Sequence, residues 1–232
     1  MNVTQGQLKG ISSMATRQIL AELVEIHGAR TGRVVAIESV GGVDAARRVR
    51  DGEAFDVVVL AKDALEKLEA EGHVVAGTRV GFTLSALAVA TRAPAGPLTF
   101  ADEAAVRAAV CGAASVGYST GPSGTYLLNL LKRWGVDAEV GPRLRQAPPG
   151  VPVGTMVAQG DAEIGFQQTS ELIGVPGIVL AGPLPPSVAF ETPFAAAIAT
   201  RATDPAAARD FLAFLASPET EAVKRRNGMA PA

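Results

Sequence analysis

Four short polar turns carry the residues best suited to hold a small anion. They are Ser12-Ser13-Met14, Ser39-Val40-Gly41-Gly42, Thr120-Gly121-Pro122-Ser123-Gly124 and Gln146-Ala147-Pro148-Pro149-Gly150. Each lies near an apolar strand-like run and the start of a helical run. A helix start turns unpaired N–H groups outward, with the positive end of its dipole behind them. Small residues let an anion approach those amides closely. The chemistry implied is binding by neutral donors, and Ser hydroxyls there serve equally as helix caps. Arg17 follows Ser13 by four residues, on a related helix face. It would clamp a carboxylate in bidentate fashion or stand as a solvated surface residue. A polycarboxylate needs such a cation, whereas a tetrahedral oxyanion is held by neutral donors alone.

Elements that alternate strand and helix must position these turns. Strands are expected at Val34 to Ile37, Asp56 to Leu60, Leu87 to Ala90, Val116 to Tyr118, Ile164 to Phe166, Ile178 to Leu180 and Ala195 to Ala199. Helices are expected at Thr16 to His27, Val43 to Arg50, Lys62 to Glu71, Glu103 to Val110, Ser123 to Trp134, Val153 to Gln159 and Ala206 to Leu215. This order implies an α/β fold with mostly parallel sheets, in which ligands bind beyond the carboxyl ends of the strands. Thr78 to Thr91 and the proline-rich Gly182 to Phe194 read as two crossings between lobes. The expected division is a discontinuous first lobe, residues 1–80 and 187–232, with residues 81–186 inserted as a second lobe.

Bulk properties exclude several classes. The 232 residues are 48% hydrophobic and 19% charged, which describes a globular chain. Aromatics are 5% and the formal net charge is −2, so neither nucleic acid nor an anionic membrane is an expected partner. One cysteine, Cys111, and two histidines, His27 and His73, provide no metal site and no disulfide. No cofactor is expected. No run of about 18 apolar residues spans a membrane. Met1 to Lys9 lacks a signal-peptide pattern, so the chain as it stands reads as cytoplasmic, or as periplasmic if a signal has been removed.

Gly52-Glu53-Ala54-Phe55-Asp56-Val57-Val58-Val59-Leu60-Ala61 resembles the "G-x-x-x-D-V-x-x-x-A" segment of type II periplasmic substrate-binding proteins. Phe214-Leu215-Ala216-Ser217-Pro218-Glu219, followed by Asn227-Gly228-Met229, resembles their C-terminal ending. The order of elements is most similar to the molybdate-binding branch of ABC transporter receptors. The resemblance implies a two-lobed fold with two mixed, mostly parallel sheets, flanking helices and two crossover strands. It also implies a small anion held in the cleft between lobes that close by a hinge, and an ABC permease as partner if the protein is exported. The site residues it implies are Ser12 and Ser13 after the first strand, and Ser39, Gly41, Gly42 and Val43 after the second. Thr120 and Ser123 follow at the "P-A-G" helix start, and Val153 at a later one. Gln168, with Gln167 beside it, stands where that branch has a tyrosine. The runs Ser12 to Arg17 and Phe166-Gln167-Gln168 also resemble the aconitate-isomerase-like, non-transport branch. That branch implies an isomerase that shifts a proton and a double bond in an unsaturated polycarboxylate. Such a reaction needs a base, and Glu171, Asp44 and Glu38 are the carboxylates nearest the turns, with no single residue singled out. His27 is expected at the surface or near a helix C-terminus, and Cys111 in a core.

Overall fold

The computed structural model describes residues 7–148 and 150–232. Most of the N-terminal stretch read for a signal, and Pro149 of the fourth polar turn, lie outside the described residues. The chain divides into two compact units, one running to Ser85 and resuming at Pro193–Ala232, the other Ala86–Thr192. In chain order the first unit holds β1 (Leu8–Ser13), α1 (Arg17–Thr31), β2 (Val35–Val40), α2 (Gly42–Arg50), β3 (Val57–Ala61) and α3 (Lys62–Ala70). The long strand β4 (Val80–Arg92) begins in it and ends in the second unit. There follow α4 (Glu103–Gly112), β5 (Val116–Tyr118), α5 (Pro122–Trp134), α6 (Asp137–Val140), β6 (Leu144–Gln146), α7 (Val153–Gln159), β7 (Ile164–Gln168), α8 (Thr169–Leu172) and β8 (Ile178–Leu180). The strand β9 (Glu191–Ile198) returns to the first unit, which is completed by α9 (Pro205–Ala216), α10 (Glu221–Arg226) and β10 (Met229–Pro231).

In the first unit β1 lies between β2 and β3, parallel to both, and β9 adds an antiparallel strand beside β3. The run Val57-Val58-Val59-Leu60 is apolar throughout because both faces of β3 are covered. Val57 and Val59 join Leu20, Leu23, Phe82, Phe211 and Leu215, while Val58 and Leu60 join Ile11, Leu65 and Leu68. Asp56, only 3% exposed, ties this sheet together. Its carboxylate accepts from Lys9 N at 2.8 Å, Thr203 N at 2.7 Å and Thr203 Oγ1 at 2.9 Å. His27 lies one turn before the end of α1, as one of the two sequence alternatives had it, and the surface alternative is corrected. The side chain is buried, with its ring 5.1 Å from that of Phe211 and 5.3 Å from that of Phe214. Burial holds its pKa below the ordinary imidazole value, helped by Arg30 and Arg33. The ring completes the apolar stripe Ile19, Leu20, Leu23 of α1, which a polar residue type concealed.

In the second unit β5 lies between β6 and β7, parallel to both, and β7 pairs antiparallel with β4. The β4 residues Thr83, Leu84 and Ser85 pair with β10, whereas Leu87 to Thr91 pair with β7. The parallel pairings therefore sit around β1 and β5, and the strands β4 and β9 contribute antiparallel ones. The core is Leu87, Val106, Val110, Leu127, Leu131, Ile164 and Phe166, with Cys111 half-buried at its edge. The strands β1, β6 and β10 were not among the apolar runs read from the sequence. β6 (Leu-Arg-Gln) and β10 (Met-Ala-Pro) are short and lack the apolar β-branched run that marks the equally short β8, and β1 alternates through Lys9 and Gly10 before ending in two serines.

Candidate functional site

Parallel pairing brings the carboxyl ends of β1 and β2 together, with Ser12 opposite Ser39 and Ser13 opposite Val40. The Ser12 and Ser39 hydroxyls lie 2.7 Å apart and share a hydrogen bond. A Cβ on Gly42 would meet the Ser13 Cβ at 3.6 Å, so the first residue of α2 packs against Ser13. Gly41 caps α2, and Val43, 67% exposed, offers an apolar surface at its first turn. Ser13 has extended backbone and precedes a 3-10 turn, Met14–Thr16, that leads into α1.

Ser13 does not act as a cap. It makes no side-chain capping bond, and its Oγ is buried without a hydrogen-bond partner among the described residues. Elsewhere the fold uses side-chain caps normally, with Asp102 accepting from Ala105 N and Asp204 from Ala207 N. An unsatisfied buried hydroxyl costs about 1–3 kcal/mol. Arg17 opens α1, is exposed, and makes no ion pair among the described residues. The basic residues of α2 differ. Arg47 is held by Asp44 and Asp51, and Arg48 by Glu38 and Glu53. Glu38 takes both Arg48 Nη atoms, at 2.7 and 2.9 Å, and these bonds hold its carboxyl below the usual range.

The second unit builds its own donor set at the ends of β5 and β7. Ser119 Oγ accepts from Gly121 N at 3.2 Å and lies 3.0 Å from Ser123 Oγ, which is buried at the first turn of α5. Thr120 is exposed beside them. At the end of β7 both glutamines are buried and diverge, as strand alternation requires. Gln168 Nε2 bonds Thr192 Oγ1 at 2.5 Å, and its Oε1 has no partner among the described residues. A hydroxyl both donates and accepts, so Thr192 satisfies either orientation of this amide. Gln168 can thus present N–H or C=O to a ligand.

Gln167 is spoken for. Its Oε1 accepts from Val153 N at 2.8 Å, and its Nε2 donates to Glu171 Oε1 at 2.8 Å. Val153 N–H can only donate, which fixes the amide orientation. The backbone donor that the sequence placed among the ligand contacts, Val153, is therefore engaged by Gln167. Burial pushes Glu171 up to about 7, against the pull of the Gln167 bond. The Val153–Gln167–Glu171 chain escaped sequence reasoning. Its only trace is the four-residue spacing of Gln167 and Glu171, which straddles a strand–helix junction and so has no fixed geometry. A separate apolar groove of about 590 Å³, lined by Leu87, Leu180, Leu184 and Phe190 among others, shares no residue with either donor set.

The profile of a family described as "Bacterial extracellular solute-binding protein" matches residues 8–230. A protein named aconitate isomerase, from a Pseudomonas species, is 35% identical over 201 residues, covering 85% of this chain and 76% of that one. Among solved structures, the periplasmic molybdate-binding protein of Azotobacter vinelandii superposes with a TM-score of 0.82 at 20% identity, covering 96% of this chain and 98% of that one. The sulfate-binding protein SubI of Mycobacterium tuberculosis gives 0.78 at 14%, covering 98% and 88%. At these identities the structural matches establish the fold. No helix among the described residues is long and apolar enough to cross a membrane.

Proposed function

This chain belongs to the bacterial extracellular solute-binding protein family, and we propose that it binds a small unsaturated polycarboxylate and isomerises it by a proton shift. The observation that carries the reading is the buried Ser13 hydroxyl beside the starts of α1 and α2, with Arg17 one turn on, neither of them partnered among the described residues. Neutral donors suit carboxylate oxygens, and Arg17 supplies the charge that a polycarboxylate needs. Ser12, Ser39, Gly41, Gly42 and Val43 in the first unit are the further proposed contacts. The second unit's own donor set, Thr120, Ser123 and Gln168, is proposed separately as a set of ligand contacts. Gln167 and Val153 support the site by binding each other. Likeness to a protein named aconitate isomerase supports aconitate as the first substrate to try. The family's description supports a location outside the cytoplasm.

The direct test is proton NMR of cis- and trans-aconitate with the protein in D2O. Interconversion with deuterium entering carbon-bound positions is the expected result. A protein that neither interconverts nor exchanges either isomer is not this isomerase.

One observation favours a second reading. Arg17 apart, every donor in the two sets is a neutral hydroxyl or amide, sufficient for a tetrahedral oxyanion delivered to an ABC permease. Melting against molybdate, tungstate, sulfate, citrate and both aconitates separates the two. A ligand at about a hundred times its dissociation constant adds about 2.7 kcal/mol, or roughly 5–10 °C for this size. A shift with the metal oxyanions alone selects the receptor.

Ser13→Ala has a distinctive expected signature under either reading. Removing a hydroxyl that has no partner costs the free protein nothing, so its melting point should stay within about 2 °C of wild type or rise. Ligand affinity should fall about tenfold, as loss of one hydrogen bond implies. Loss of stability with affinity intact would mean that Ser13 is structural.

A further inference from the structure

A proton shift needs a group that can take a proton from carbon and return it. Three carboxylates lie beside the polar turns, and the structure separates them. Glu38 is locked by Arg48, and Asp44 is paired with Arg47. Among the described residues Glu171 meets no cation and receives one hydrogen bond, from Gln167 Nε2. It stands in α8, three residues beyond Gln168, at the carboxyl end of β7 where ligands meet sheets of this type. We propose that Glu171 is the proton carrier of the isomerisation, an assignment that rests on the isomerase reading above.

The surroundings are consistent with that task. α8 packs on β7 and α7, and α7 packs on β8. None of these three elements carries a charged residue, and Glu171 is the only one in α8. Burial therefore acts on the carboxyl without a nearby cation to oppose it. It leaves the group near 7, where a carboxylate takes a proton and its acid returns one at neutral pH. In the step, the Glu171 carboxylate removes a proton from the methylene carbon next to the substrate double bond. The C–H electron pair moves into the unsaturated system and its carboxylates. The Glu171 acid then protonates the far carbon of the three-carbon unit. The double bond has moved one position, the carboxylate is regenerated, and no oxidant, metal or second substrate enters. Gln167 is the positioning residue, fixed by Val153 N–H at one end and holding Glu171 at the other.

Glu171→Gln tests this cleanly, because a glutamine oxygen still accepts from Gln167 Nε2 while the titrating group is gone. Wild type should show kcat/KM for aconitate falling as pH drops below about 7. Glu171→Gln should lose at least 100-fold in kcat and in deuterium exchange, with KM and the aconitate-induced melting shift unchanged. Glu171→Asp should recover part of the rate. A Glu171→Gln variant within threefold of wild type overturns the assignment and leaves the isomerase reading standing. So does one whose rate loss follows entirely from KM. A wild-type protein that shifts its melting point with aconitate but neither converts nor exchanges it overturns both.

Discussion

Replacing Gly124 by alanine will lower the melting point by about 6–12 °C, from a destabilisation of about 3 kcal/mol. Helix propensity alone points the other way, since alanine gains about 1 kcal/mol over glycine inside a helix. Sterics decide the sign. Gly124 is the third residue of α5, and a Cβ there would sit inside the Ser119 carbonyl oxygen, with the Ser119 carbonyl carbon only 2.8 Å away. Ser119 cannot retreat easily. It follows Tyr118, which is held in register between Gln146 and Phe166, and its hydroxyl is tied to Gly121 N and Ser123. The start of α5 must move instead, carrying Ser123 with it, so ligand-induced stabilisation should vanish as well. Gly112→Ala is the control. It ends α4 with open space around the missing Cβ, and should change stability by less than about 0.5 kcal/mol. A Gly124→Ala protein that melts within 2 °C of wild type would contradict this packing.

The second large effect concerns Asp56. Asp56→Ala should cost about 4 kcal/mol, because it strands buried donors at Lys9 N, Thr203 N and Thr203 Oγ1 together. Asp56→Asn should cost about half as much, keeping one acceptor oxygen and turning an NH2 toward the remaining donors. Burial alone would raise the Asp56 pKa, but the bonds from Lys9 and Thr203 outweigh it and hold the carboxyl below its usual range. The sign follows from linkage. Asp56 stabilisation is present above the unfolded pKa of about 4 and is lost as pH falls through the folded value. Chemical denaturation of wild type and Asp56→Asn should therefore show a stability gap that is constant from pH 7 to 5 and closes below about pH 4. A gap that stays open at low pH would mean that the carboxylate charge contributes nothing.

The same segment shows why much of this fold was legible in the chain. Asp56-Val57-Val58-Val59-Leu60 announces a strand covered on both faces, and apolar residues at helical spacing announce α1, α5 and α9. These signals are local, because a strand or helix repeats its pattern within a few residues. The alternation of the two element types then implied the α/β class. The polar turns were legible for the same reason: serine, glycine and proline at a strand–helix junction have few local uses, and binding or capping an anion-ready helix start are the chief ones. The sequence could not choose between those uses, because a hydroxyl's partner is set by what folds beside it. Ser13 and Asp102 both precede helical turns, yet only Asp102 finds a backbone N–H.

What only tertiary structure decided are the long-range pairings. His27 became a core residue because Phe211 and Phe214, 184 and 187 positions away in the chain, fold onto α1. Gln167 and Gln168 are chemically identical neighbours, and strand alternation sends one to Val153 and Glu171 and the other to Thr192. Among the three acidic side chains near the polar turns, nothing in composition separates Glu171 from Glu38 and Asp44. The separation comes from which of them an arginine reaches, and from how much water each loses when the chain closes around it. Charge type and local period are written in the sequence, whereas burial and partner are properties of the fold, and it is burial and partner that set a carboxylate's chemistry.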